Sequence, residues 1–174
     1  RVDEQFKRGA RVWPQVQTRP IDISFCFEVP SLLFIRLPSW YQIMRFGSHD
    51  EIKAAFKDEQ RRKQLVAEAQ SLSPMWDMLV LRQVDSEANQ QFVGQTLAEI
   101  AATRNTSTLD TMIDLSIEED LQAHFLASNM GHTDNDVIGG LLANPRVHLG
   151  ASDGGAVPAS WRHIPADRNR PGCD

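Results

Sequence analysis

The chain has 174 residues, of which 41% are hydrophobic and 24% are charged, with a formal net charge of -5. This length suits one globular domain with a sizeable core, and the negative charge argues against a nucleic-acid partner, because no basic stripe neutralises phosphates. No apolar run approaches the roughly 18 residues of a membrane span, and no basic-then-apolar leader begins the chain, so we expect a cytoplasmic protein without a membrane partner.

The first half alternates short apolar segments with turns. Gly9–Arg19 predicts a strand that is short because Pro14 removes a ladder donor. Ile21–Phe27 alternates apolar and polar residues, which is typical of a half-buried strand. The apolar stretch Leu32–Trp40 follows, and Pro38 interrupts it.

A helix is predicted from Ser48, because Ser48 and Glu51 have the spacing of a capping box. Its apolar stripe runs to Ala69 with a break near Asp58. The basic run RRK at 61–63 lies among acidic residues and predicts a solvated helix face.

The next stretch combines a strand with several helices. Trp76–Val84 predicts a strand, and Gly94–Ala143 predicts a helical region. Further capping boxes are predicted at Thr96 with Glu99 and at Ser116 with Glu119, and Asp134 or Asn135 can cap a last helix, which Asn144-Pro145 stops.

Arg146–Gly150 predicts a short strand directly after a helix, and the glycine-rich turn Ala151–Ala156 follows it. Helix, strand and polar turn form an α/β unit, in which chemistry lies beyond the carboxyl end of the strand. Asp153 stands there, where a carboxylate can hold a metal ion or move a proton. A plain Asx turn uses the same residues, so spacing alone leaves both interpretations open.

Four blocks, in order, resemble the D-aminoacylase-like branch of the amidohydrolase superfamily. They are RVWPQVQTRP at Arg11–Pro20, the helix and strand around Trp76–Val84, the segment Phe92–Asp120, and DVIGGLLANPRVHLGASDGGA at Asp136–Ala156. Together they cover most of the chain up to Ala156.

The resemblance implies an α/β fold, part of a (β/α)8 TIM barrel. Arg11–Pro20 would hold its seventh strand and Arg146–Gly150 its eighth, with a large helical insertion between them. Residues 1–156 would be the C-terminal part of the barrel domain. Two parallel strands do not close a barrel, so exposed strand edges would favour self-association.

The implied reaction is metal-dependent hydrolysis of the amide C–N bond of a small N-acyl-D-amino acid, typically with zinc. Asp153 matches the family's aspartate at the end of the eighth strand, which lies near the metal and transfers the proton. Gln15 and Arg19, near the end of the seventh strand, are expected to contact substrate or to be ordinary polar loop groups.

Two departures from the family pattern predict that the isolated chain is inactive. The family's metal site uses a His-x-His pair on the first strand and histidines from the fifth and sixth. None of the five histidines here matches: His124 and His132 are placed on or beside helices, His148 in a packed strand layer, and the others are His49 and His163. The family's turn also continues with a histidine, where this chain has Val157.

Both ends suggest a fragment. The sequence begins at Arg1 in a polar stretch without an initiator Met, and residues 157–174 form an irregular, proline-containing tail that an altered reading frame would explain. The two cysteines, Cys26 and Cys173, are far apart and indicate neither a disulfide framework nor metal-ligand spacing.

Two other functions stay open from the sequence. One is a non-catalytic helical interaction module with Gly94–Ala143 as its core. The other is a related superfamily member that hydrolyses cyclic amides such as hydantoins or dihydropyrimidines.

Overall fold

The computed structural model describes residues 2–17, 20–131 and 133–150. The fold is α/β and divides into two compact units. We call Pro20–Gly131 the continuous unit, and the described residues of 1–19 and 132–174 the split unit. In chain order the elements are α1 Val2–Lys7, β1 Gln15–Val16, β2 Ile23–Phe25, α2 Pro38–Phe46, α3 His49–Lys57, α4 Glu59–Ala69, α5 Ser73–Asp77, β3 Val80–Gln83, α6 Leu97–Arg104, α7 Thr108–Glu118, β4 His124–Ala127, α8 Asn135–Leu142 and β5 His148–Leu149.

In the split unit, β1 pairs with β5 in parallel. The N–H of His148 donates to the carbonyl of Pro14 at 3.0 Å, so the proline still accepts although it cannot donate. The predicted short strand is confirmed, since β1 has only two residues. Asp134 caps α8 by accepting from the N–H groups of Asp136 and Val137, as the sequence predicts.

The continuous unit contains an antiparallel sheet in the order β2-β4-β3. Phe25 of β2 lies opposite Phe125 of β4, and Leu81 of β3 lies opposite the same Phe125 from the other side. All three side chains are buried. The outer edge of β3 is closed by backbone hydrogen bonds to the segment that precedes α6, from Gly94 to Leu97.

An aromatic cluster fills the core of the continuous unit. Phe27 is fully buried, and its ring centroid lies 5.2 Å from that of Phe56 and 5.3 Å from that of Phe34. The buried indole N–H groups are satisfied: Trp40 donates to the carbonyl of Leu65 at 2.8 Å, and Trp76 to that of Ala69 at 2.8 Å. These bonds remove the cost of burying a polar N–H group in an apolar core.

Three predictions about helix ends that depend on neighbouring residues are confirmed. Ser48 with Glu51 and Thr96 with Glu99 both form complete capping boxes. The predicted break lies at Asp58, which ends α3 and caps α4 by accepting from the N–H of Arg61.

Two element boundaries differ from the sequence prediction. Pro38 does not interrupt a segment but is the first residue of α2, where its missing N–H costs nothing because no intrahelical acceptor is available there. Trp76 lies in α5, and the strand predicted from Trp76 begins only at Val80.

The prediction that Gly94–Ala143 is wholly helical is wrong. The segment contains β4, the middle strand of the sheet, so the stretch between β1 and β5 is not simply a helical insertion. Asp120 and Leu121 both have positive φ (52° and 69°), which ends α7 and turns the chain into the strand.

The capping box predicted at Ser116 and Glu119 is also wrong. Ser116 lies near the end of α7 and is buried, and its hydroxyl donates to the carbonyl of Met112 at 2.6 Å. The cap of α7 is Ser107, whose hydroxyl accepts from the N–H of Asp110.

The basic run is only in part a solvated face. Arg61 and Lys63 are exposed, but Arg62 is half-buried and joins α4 to α7. Its guanidinium donates to Asp110 at 2.7 Å and to Asp114 at 2.6 Å. Among the described residues, no helix has the length and apolar character needed to cross a membrane.

Candidate functional site

The structure describes one of the three residues that the sequence nominates for a site. Gln15 lies on β1 with an exposed side chain, opposite His148 of β5. Arg19 and Asp153 lie outside the described residues, as does the turn Ala151–Ala156. Their predicted roles in substrate binding and proton transfer therefore stay predictions.

The two faces of the β1–β5 pair differ. Because directly paired residues of neighbouring strands point to the same face, Gln15 shares a face with His148, and Val16 shares the other with Leu149. Val16 is buried, whereas Leu149 is 67% exposed. Our expectation that His148 points into a packed layer is wrong, since its side chain is exposed and no described strand flanks β5 beyond β1.

A series of rings connects α1 to β5. Phe6 contacts Trp13 edge-to-face at 5.4 Å between centroids, and Trp13 lies 6.1 Å from the imidazole of His148. The guanidinium of Arg146 stands 5.0 Å from the ring centroid of Phe6 and forms an ion pair with Asp3. These contacts hold α1 against Trp13 and Arg146, which precede β1 and β5.

Gly150 is the last described residue before the predicted site turn. Its N–H donates to the carbonyl of Val16 at 2.8 Å. A Cβ at this position would lie 3.1 Å from the same carbonyl oxygen, which is tighter than ordinary van der Waals contact. Glycine therefore allows the chain to leave β5 while its backbone still contacts β1.

The described histidines lie in unlike surroundings. His49 places Nε2 3.3 Å from the carbonyl oxygen of Glu28. His124 is on β4 rather than on or beside a helix, and burial lowers its pKa, against the opposing effect of Asp85 and Glu28. In the part of the chain that the structure describes, no three His, Cys, Asp or Glu side chains form a group that would hold a metal ion. His132 and His163 lie outside that part.

A buried carboxylate of the continuous unit was not among the residues predicted for a site. Glu119, at the end of α7, is only 6% exposed. It accepts hydrogen bonds from the N–H of Asp85 at 2.8 Å, the N–H of Ser86 at 2.9 Å and the side-chain amide of Asn89 at 2.6 Å, and also from the hydroxyl of Ser86. Burial raises the pKa of Glu119, but these hydrogen bonds outweigh it and the pKa lies below its ordinary value.

Glu119 therefore fixes the loop after β3. Arg104 extends the network: its guanidinium donates to Asn89 at 2.7 Å and to Glu118 at 2.9 Å, and it stands 5.0 Å from the ring centroid of Phe92. The donors to both carboxylate oxygens of Glu119 belong to Asp85, Ser86 and Asn89 of the same chain. This arrangement is typical of a structural carboxylate. No local sequence signal reveals it, because its partners lie about 30 residues away.

Comparison with known proteins gives no assignment. The chain matches no protein-family model, and no curated protein or solved structure matches it significantly.

Proposed function

We propose that the chain is the C-terminal part of a metal-dependent amidohydrolase barrel, most similar to the N-acyl-D-amino-acid deacylases. The observation that carries the proposal is the parallel pairing of β1 with β5. Those two segments are the ones that the resemblance assigns to the seventh and eighth barrel strands, and neighbouring barrel strands are parallel. Parallel pairing also requires a crossover connection between the strands, which antiparallel neighbours do not need.

The division of the chain supports the same proposal. The continuous unit Pro20–Gly131 lies wholly between β1 and β5 in sequence, as an insertion between consecutive barrel strands would. After the insertion, α8 leads into β5, in the helix-to-strand order of a barrel repeat. Under this proposal Asp153 follows the eighth strand, where barrel enzymes carry their chemistry.

The described residues do not themselves fit a zinc site, because they bring together no group of three metal-binding side chains. Under the proposal, histidine ligands come from parts of a parent protein other than these residues, and the chain alone has no turnover. This chain contributes Asp153 as the proton-transferring carboxylate, with Gln15 and Arg19 as candidate contacts to a small N-acyl amino acid. A cytoplasmic location stays part of the proposal.

The test begins with the genomic DNA on both sides of this segment. We expect an upstream frame that encodes a His-x-His pair and two later histidines, and a shifted frame that restores a histidine after Ala156. The complete reading frame is then expressed and assayed for zinc-dependent release of D-amino acids from N-acetyl-D-amino acids, beside the chain alone.

Two variants make the assay specific. Asp153→Asn is expected to lower kcat about 100-fold or more, because it removes a proton-transferring group. Asp134→Asn is the matched control: asparagine caps a helix as well as aspartate does, so α8 and activity should persist. Full activity of Asp153→Asn, deacylation by the chain alone, or flanking DNA without related sequence would each overturn the proposal.

The cyclic-amide alternative is separated by substrate. Hydrolysis of a hydantoin or a dihydropyrimidine, without release of D-amino acids, would favour it. The interaction-module alternative assumed that Gly94–Ala143 is a single helical core. In the structure this segment includes β4 and is divided between the two units at Gly131.

A further inference from the structure

The continuous unit contains a cleft whose lining residues are not among those predicted for catalysis. It has a volume of about 380 Å³ and lies between α2 and α4, with α3 beginning at one end. Ser39, Gln42, Ile43 and Phe46 recur at helical spacing on one face of α2, and Arg61, Gln64 and Leu65 do so on α4. This volume is at the lower end of small-molecule sites, which suits a compact ligand.

The apolar part of the cleft is formed by Ile43, Leu65 and Phe46. Phe46 is 77% exposed, whereas most of the other described aromatic side chains are buried in the core. An apolar ligand side chain placed against these three residues would be removed from water together with the ring of Phe46. That burial is favourable in proportion to the area covered.

The cleft also presents one positive and one negative charge. The guanidinium of Arg61 forms no hydrogen bond or ion pair with another described side chain. Glu51 uses only Oε2 in its capping box, accepting from the N–H of Ser48 at 2.7 Å and from its hydroxyl at 2.8 Å. Its Oε1 therefore remains available to a donor.

The two charged side chains both line the cleft and are not paired with each other. The hydrogen bonds from Ser48 lower the pKa of Glu51 most, and the positive charge of Arg61 lowers it further, so the carboxylate is ionised at neutral pH. Among the described residues no ion pair within 4 Å joins Glu51 to Arg61. A ligand that carries both an ammonium and a carboxylate would satisfy the two groups at once, with charge-assisted hydrogen bonds.

We propose that this cleft binds a free α-amino acid with an apolar side chain. Its carboxylate contacts Arg61, its ammonium contacts Glu51, and its side chain packs against Ile43, Leu65 and Phe46. Gln42 also lines the cleft and offers an amide group to the ligand backbone, whereas the side-chain amide of Gln64 donates to the hydroxyl of Ser39 at 3.3 Å. The site is independent of the proposed hydrolase activity, since it shares no residue with the predicted catalytic turn.

The experiment titrates the full chain with leucine, in both enantiomers, and follows binding by isothermal calorimetry and by backbone NMR shifts around Gly47. Two analogues separate the charges: 4-methylpentanoate lacks the ammonium, and 3-methylbutylamine lacks the carboxylate. We expect leucine to bind at millimolar concentrations and each analogue to bind about tenfold more weakly, because each loses one charge-assisted bond.

Variants with matched controls assign the charges. Glu51→Gln retains the capping box, since glutamine also serves there, and is expected to weaken leucine binding about tenfold while leaving that of 4-methylpentanoate unchanged. Glu99→Gln makes the same change in the second capping box, outside the cleft, and should not affect binding. Arg61→Gln is expected to weaken binding of leucine and of 4-methylpentanoate, with Lys63→Gln on the same helix as its control.

Three outcomes would overturn the proposal. They are no leucine binding at millimolar concentrations, binding that neither Glu51→Gln nor Arg61→Gln weakens, and shifts that map away from α2 and α4. Thermal unfolding of each variant shows whether it is folded, so that lost binding is not confused with lost structure. Because the readout is binding alone, its failure is distinguishable from failure of the hydrolase assay.

Discussion

The carboxylate of Asp22 accepts a hydrogen bond from the backbone N–H of Asn129 at 2.9 Å, although 107 positions separate the two residues. Beside it, the N–H of Met130 donates to the carbonyl of Ile21 at 2.8 Å. The two ends of the continuous unit are thus joined to each other. A unit whose ends meet can be inserted into another domain, or removed from it, without a change in its own path.

We therefore expect residues 20–131 to fold when expressed alone. Their core contains the aromatic cluster and the three-stranded sheet, and every described member of that core lies within the unit. Circular dichroism and tryptophan fluorescence should show one cooperative thermal transition. Asp22→Ala is expected to lower its midpoint, since it opens the joined ends, and a fragment that unfolds without cooperativity would contradict this prediction.

The stability of the continuous unit should depend on the ionisation of Glu119. Because the folded pKa lies below the ordinary value of 4.5, the carboxylate stabilises the fold fully above about that pH. The stabilisation is lost as the pH falls through the lower folded pKa, since the protonated group no longer accepts the same hydrogen bonds. Urea unfolding at several pH values from neutral to acid measures the effect.

Glu119→Gln should lower the free energy of unfolding at neutral pH by about 2 kcal/mol, because the NH₂ group of glutamine would face N–H donors that need an acceptor. The variant should also weaken the dependence of stability on acid pH, since glutamine does not ionise. Glu87→Gln, at an exposed position of the same loop, is the control. Equal pH profiles for the wild type and Glu119→Gln would contradict the assignment.

Thr111 carries an unsatisfied hydroxyl in the core. Its side chain is fully buried, and Oγ1 has no hydrogen-bond partner among the described residues. Thr111→Val replaces the hydroxyl by a methyl group of similar size, so we expect the free energy of unfolding to rise by about 1 kcal/mol.

Ser116→Ala provides the contrast on the same helix, because the hydroxyl of Ser116 does donate to the carbonyl of Met112. That variant should lose about 1 kcal/mol. Denaturant unfolding of both variants is the measurement. A loss of stability in Thr111→Val would indicate that its hydroxyl has a partner after all.

Asn105 ends α6 in the left-handed conformation, with φ 51° and ψ 47°. Its N–H donates to the carbonyls of Ala101 and Ala102, which closes the helix. Asn105→Ala should lower the free energy of unfolding by about 1 kcal/mol, since a Cβ disfavours this conformation and alanine lacks the polar side chain that tolerates it. Asn105→Gly should change it by less than about 0.5 kcal/mol, and thermal unfolding that ranks the two variants the other way would contradict the prediction.

Several features of the fold were open to sequence reasoning because their causes are local. The capping boxes at Ser48 and Thr96 rest on hydrogen bonds to residues three positions away, so composition and spacing suffice to predict them. The short β1 follows from Pro14, and the helix break follows from Asp58. The parallel relation of the two strands was expected only through the family resemblance.

Other features were decided by contacts between distant parts of the chain. Residues His124–Ala127 form a strand because β2 pairs with one of its edges and β3 with the other. A four-residue segment is too short for its periodicity to predict a strand. Arg62 appeared in sequence as part of a solvated run, but Asp110 and Asp114 on α7 bind it. In the sequence, Glu119 has the spacing of a capping-box residue. In the structure, its hydrogen-bond partners lie in the loop after β3.

The sequence by itself thus determined where α3, α4 and α6 begin, since each start depends on a side chain and an N–H group within one helical turn. Tertiary structure alone decided which polar groups are buried and which segments pair. The cleft beside Arg61 and Glu51 belongs to the second class: α2 and α4 supply its walls, and Glu51 of α3 and Arg61 of α4 both line it only because these helices pack together.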